Sequence, residues 1–123
     1  MTYYRDKVSL LTDSYDNVDL FRLLGNQIIR HHFNRRTRRS AEMTIAMDAN
    51  LEYDVCIDDK NTLYLAYQDL NYNIILSTIR NNKTNRIKLN SAPLKEAYYI
   101  NMIVNKGEVH IFYFSSEKGV ERK

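Results

Sequence analysis

The chain has 123 residues, 44% of them hydrophobic and 27% charged, with a formal net charge of +3. That is a single-domain length with enough apolar material for a core, which excludes a disordered chain. A charge of this size does not by itself imply nucleic acid as a partner.

In chain order, a short apolar segment near Lys7 to Thr12 is predicted as strand a and runs into the polar turn "DSYDN". Val18, Leu20 and Leu23 alternate as strand b, "LGNQ" breaks the pattern, "QIIRHHF" supplies strand c, and strand d follows near Met43 to Met47. The same order then returns. Strand a near Tyr53 to Ile57 leads through "DDKN" to Leu63, Leu65 and Tyr67, then through "DLNYN" to "NIILSTI", with strand d near Arg86 to Leu89. A third round has strand a near Tyr98 to Val104, the turn "NKGE", and strand b with Val109, Ile111 and Tyr113 before the break "SSEKG".

Sliding the chain along itself by about 46 residues places Tyr53 on Tyr99, Ile57 on Ile103, Leu63 on Val109, Leu65 on Ile111 and Tyr67 on Tyr113. One unit earlier, "SLLTD" falls on "VCIDD", and "NVDLFRL" falls on "TLYLAYQ" after a one-residue slip. The expected organisation is one repeat-built β domain over 1–123, with repeats near 7–50 and 51–96 and a partial third near 97–123. The competing α+β reading puts a helix near 19–33, because Val18, Phe21, Leu24 and Ile28 share a helical face behind Asp16 as N-cap. The turn pair Gly25-Asn26 and the Tyr, Thr and Ile content of Leu63 to Ile79 favour strands. "APLKEAYY" has the composition of one helical turn.

Four short strands recurring at this spacing resemble the blades of β-propellers of the divergent kind, although the Trp-Asp and Gly-His marks of WD40 blades and the sialidase-type Asp-box are missing. The resemblance implies an all-β fold of four-stranded antiparallel meanders arranged as propeller-like blades, in an incomplete propeller. About two and a half blades make an open arc, where closure normally takes about four to eight. The chain is then a piece of a larger propeller or a subunit of a homo-oligomer, unless the strands collapse into a β-sandwich.

Chemistry-bearing residues are sparse. "RHHFNRRTRR", with Arg35, Arg36, Arg38 and Arg39, and "RNNKTNRIK", with Arg80, Lys83 and Arg86, are both basic and both fall between strands c and d. Blade geometry implies that these cations share one face with Asp13, Asp16, Asp58 and Asp59 of the a-to-b turns. A phosphate-rich ligand suits the cations, but a solvated, self-neutralised face is the better account, so nucleic acid is not the favoured partner. His31 and His32 point to opposite faces of a strand and cannot chelate one ion together, so no metal site is expected. Asp58 and Asp59 lack the ligand-dense loop of a calcium site and read as a polar turn. Tyr53, Tyr64, Tyr67, Tyr72, Tyr98, Tyr99 and Tyr113 offer either an aromatic surface for a glycan or packing between sheets.

Cys56, the only cysteine, excludes an internal disulfide and the Cys-rich zinc patterns, and reads as a small buried strand residue. The opening "MTYYRDKVSLLTDSYD" has no signal-peptide core and no run approaches a membrane span, so the expected place is the cytoplasm and no membrane partner is expected. No cofactor is expected. The leading functional expectation is a non-catalytic binding or scaffold module with a protein or glycan ligand; its alternatives are a fragment of a larger propeller enzyme, such as a glycan-cleaving hydrolase, and a basic-face nucleic-acid-binding module.

Overall fold

The structure is a computed structural model that describes residues 8–90, 96–117 and 120–122. It is all-β. Eleven strands among these residues form three antiparallel sheets. The first holds β1 (Val8–Thr12), β2 (Val18–Leu24), β3 (Gln27–Asn34) and β4 (Arg39–Ala46) in sequential order. The second holds β5 (Ala49–Ile57), β6 (Leu63–Asp69), β7 (Ile74–Arg80) and β8 (Lys83–Lys88), also sequential. In the third, β10 (Glu108–Glu117) lies between β9 (Ala97–Asn105) and the short β11 (Val120–Arg122). None of the sheets is closed.

A helix near 19–33 is excluded, because β2 and β3 occupy those residues as a hairpin. The reason lies at Gly25, whose φ of 63° reverses the chain where a helix would have continued. The period-2 pattern then buries Phe21 opposite Arg30 and places Leu23 opposite Ile28. Part of the expected helical turn in "APLKEAYY" falls at 92–95, outside the described residues; its end belongs to β9.

Three of the turns are built alike, each led by an aspartate. Asp13 Oδ1 accepts the amides of Tyr15 and Asn17, Asp58 Oδ1 those of Lys60 and Thr62, and Asp69 Oδ1 those of Asn71 and Asn73. In each the fourth residue, Asp16, Asn61 or Tyr72, has a φ of 63° to 64°. A short carboxylate two residues before the amide it accepts satisfies the backbone where no ladder partner exists. Two other hairpins turn on a pair of left-handed residues, Asn81-Asn82 and Lys106-Gly107, the geometry that matches strand twist in two-residue loops.

The sheets stack face on face. Leu63, Leu65 and Tyr67 of β6 pack towards the first sheet in a core with Phe21, Ile28, Ala46, Tyr53 and Val55. The opposite face of the same strands, with Ala66, Ile74 and Leu76, packs with Ala97, Ile100 and Met102 and with the half-buried Val109, Ile111 and Tyr113 of the third sheet. Polar ties fix the stack. The Tyr53 hydroxyl donates to the Phe21 carbonyl (3.1 Å), the Met102 amide donates to Asp54 Oδ2 (2.7 Å), and the Ala97 amide donates to the buried Gln68 side chain (2.7 Å). Each such bond satisfies a group that sheet stacking takes out of water.

Candidate binding site

One edge of the stack collects the β1–β2, β3–β4, β5–β6, β7–β8 and β9–β10 turns. The first two touch directly: Arg35 donates its amide to Asn17 Oδ1 (3.0 Å) and its guanidinium to Asp16 Oδ2 (3.0 Å). The first and third are joined by Ser14 and Asn61, whose side chains meet at 2.8 Å. Between the second and third sheets this edge opens into a cleft of about 900 Å³. Its walls include Asp58, Lys60, Tyr64, Arg80, Asn105 and Lys106.

Two carboxylates of this edge, Asp13 and Asp58, face inwards, whereas Asp59 is exposed and lines the cleft beside Lys60. Asp13 spends Oδ1 on two turn amides and Oδ2 on the Asn17 side chain (3.2 Å). Asp58 spends Oδ1 likewise and accepts the Tyr64 hydroxyl at Oδ2 (3.0 Å). Burial alone raises the Asp58 carboxyl, but the Thr62 and Lys60 amides, the Tyr64 hydroxyl and the field of Arg80 outweigh it and hold its pKa below the ordinary carboxylate value. Tyr64 shifts the other way, raised by its burial and by its bond to the Asp58 anion. The acceptor sites of Asp13 and Asp58 thus point at the protein. The exposed donors of the edge are cationic.

The seven basic residues singled out in the sequence therefore separate into groups. Arg36, Arg38 and Arg39 are exposed at the β3–β4 connection, with no ion pair among the described residues, while Arg35 is held by Asp16. Arg80 lines the cleft, and Lys83 stands beside it at the start of β8. Arg86 does not join them. It lies within β8, opposite Ser77, where Nη2 meets Asp48 Oδ2 (2.7 Å) and Nε donates to the Tyr67 hydroxyl (3.0 Å). Burial, above all, pushes Tyr67 up to about 12, so its phenol stays protonated and passes its own hydrogen bond to Asp48.

Lys60 and Lys106, which the 46-residue repeat superposes in the a-to-b turns, were not among the binding residues expected from the sequence. The signal was present in "DDKN" and "NKGE", each with a lysine at the tip. His31 and His32 do point apart: His32 Nδ1 lies 2.7 Å from the buried Asp19, which Arg30 also grips, while His31 faces Arg22 and Glu42 on the other side. Among the described residues no group of His, Cys, Asp and Glu has a metal-binding arrangement. Of the tyrosines, Tyr53 and Tyr67 are buried between sheets, Tyr64 and Tyr113 are half-buried, and Tyr72 and Tyr99 are exposed; Tyr98 lies in β9, and its side chain falls outside the described residues. Cys56 is half-buried in β5, where burial, then the charges of Asp54 and Asp58, push its thiol up to about 11.

Comparisons with family models, curated proteins and solved structures find no match. Among the described residues no helix is long and apolar enough to cross a membrane.

Proposed function

We propose that the chain is a non-catalytic binding and scaffold module whose stacked sheets form propeller-like blades and whose turn edge takes a ligand bearing phosphate or carboxylate groups. The observation that carries this reading is the cleft at that edge, where Lys60, Arg80 and Lys106 outnumber the one outward carboxylate, Asp59, because Asp58 is turned onto its own turn amides and Tyr64. Arg36, Arg38 and Arg39 extend the cationic surface along the same edge. Arginine offers a planar fork of donors suited to such groups, and lysine a compact mobile charge. The blade reading is supported by the sequential order of the first two sheets and by the middle sheet lying between the other two.

Titration of the purified chain with inorganic pyrophosphate tests the site. Saturable binding is expected, weakening as salt rises, and an Arg80→Ala Lys106→Ala variant should lose roughly tenfold or more in affinity, since a hydrogen bond to a charged group contributes about 1.5 to 3 kcal/mol. Binding of equal strength in that variant, or no binding by the intact chain at low salt, overturns the proposal.

A further inference from the structure

Each end of the stack presents exposed apolar side chains to solvent, on the first sheet beside the Arg22, His31 and Glu42 cluster of the same face. On the first sheet Val8 and Leu10 are 53% and 64% exposed. On the third, Ile103, Phe112 and Phe114 are 56%, 56% and 44% exposed. Large apolar side chains left exposed together on one sheet face suit an interaction surface.

The molecule itself indicates what covers them. Thr12 pairs with Val18 as Ile57 pairs with Leu63, and Leu10 pairs with Leu20 as Val55 pairs with Leu65. Counting from these pairs, Val8, Leu10 and Leu20 take the places in the first sheet that Tyr53, Val55 and Leu65 take in the second. Those three residues of the second sheet are buried by the first. At the other end, Ile111 pairs with Met102 as Leu20 pairs with Leu10. By the same count Ile103, Phe112 and Phe114 take the places of Leu11, Phe21 and Leu23, the residues with which the first sheet covers the second. One chain thus carries both halves of its own sheet-on-sheet interface, one at each end.

We infer that copies of this chain associate head to tail, the outward face of the third sheet of one copy packing on the outward face of the first sheet of the next. The occupant is a second copy because the complementary face is already built into the chain, in the parity that continues the existing stack. Such a contact is heterologous, so it closes into a ring if the rotation per copy permits and otherwise extends. It rests on the sheet packing and is independent of the anionic ligand.

Sedimentation of the intact chain across a dilution series should show species heavier than the monomer. Leu10→Asp and Phe112→Asp each place a carboxylate on one exposed end face, so each variant alone should be monomeric, with an unchanged far-ultraviolet circular dichroism spectrum and melt. Mixed in equal amounts they should form a dimer and nothing larger, because each retains the face the other has lost. A monomeric intact chain at all concentrations overturns the inference. So does self-association of either folded variant, which would mean like faces pairing, or a mixture that stays monomeric.

Discussion

The second sheet and the first are both four-stranded meanders in sequential order, yet the side chains of β6 from Leu63 to Asp69 are buried apart from the half-buried Tyr64, whereas β2 buries only Asp19 and Phe21. Intrinsic strand preference does not explain the difference, since Val18 and Leu20 suit a pleated sheet as well as Leu63 and Leu65 do. Position in the stack does. A strand covered on both faces, as β6 is, converts its whole alternation into core, and a strand covered on one face converts half. Place within a sheet matters too: β8, the last strand of the second sheet, is exposed along its length, and so is β4, the last of the first, until Ile45 and Ala46.

The turns offer the sharpest way to separate residues that build the stack from those that ornament its edge. Asp58→Ala removes the acceptor of two amides and of the Tyr64 hydroxyl, and should lower the unfolding free energy in urea by about 1 to 3 kcal/mol at pH 7. Asp59→Ala, next to it and exposed, should change it by less than about 0.5 kcal/mol. The effect has a direction in pH. The folded pKa of Asp58 lies below its ordinary value, so the carboxylate's contribution is fully present above the unfolded pKa and disappears as pH falls through the folded one. The gap between Asp58→Ala and the unaltered chain should therefore narrow on acidification, and Asp58→Asn should flatten that acid limb while keeping the turn, as Asn34 does by accepting the Arg36 and Thr37 amides.

A smaller effect concerns the thiol. With its pKa pushed up to about 11, Cys56 should react with iodoacetamide at pH 8 at least about tenfold more slowly in the folded chain than in urea, because the thiolate is the nucleophile. Equal rates would place Cys56 outside the contact between the second and third sheets.

Much of this fold was legible because burial leaves a period-2 trace. The strands predicted at Tyr53 to Ile57 and around Leu63, Leu65 and Tyr67 lie within β5 and β6, and the core faces follow their alternation. Where strands are exposed the trace vanishes. Arg39 and Lys83, expected in connections, lie inside β4 and β8, because an outer strand held by ladder bonds needs no apolar side chains. The placement of Asp13 opposite Asp59 was also one residue out. Thr12 and Val18 bracket Asp13–Asn17 as Ile57 and Leu63 bracket 58–62, so Asp13 stands where Asp58 stands. The adjacent Leu10 and Leu11 blur the parity that would fix this register, and the side-chain bonds to the turn amides settle it. The third sheet shows the same limit: β11 pairs with the end of β10, and no strand was expected beyond the second one there. For the site, the arginines were visible as a run, whereas the contributions of Lys60 and Lys106 depend on how the third sheet meets the second.

The central claim, that position in the stack and not the local pattern decides which faces form the core, is tested most directly by a matched pair of substitutions. Leu65→Ala and Leu10→Ala truncate the same residue type on the corresponding faces of the second and first sheets, one at 0% and the other at 64% exposure. Urea unfolding at protein concentrations low enough to hold the chain monomeric should show a loss of about 2 to 5 kcal/mol for Leu65→Ala and of less than about 0.5 kcal/mol for Leu10→Ala. Equal losses in the two variants would contradict the account.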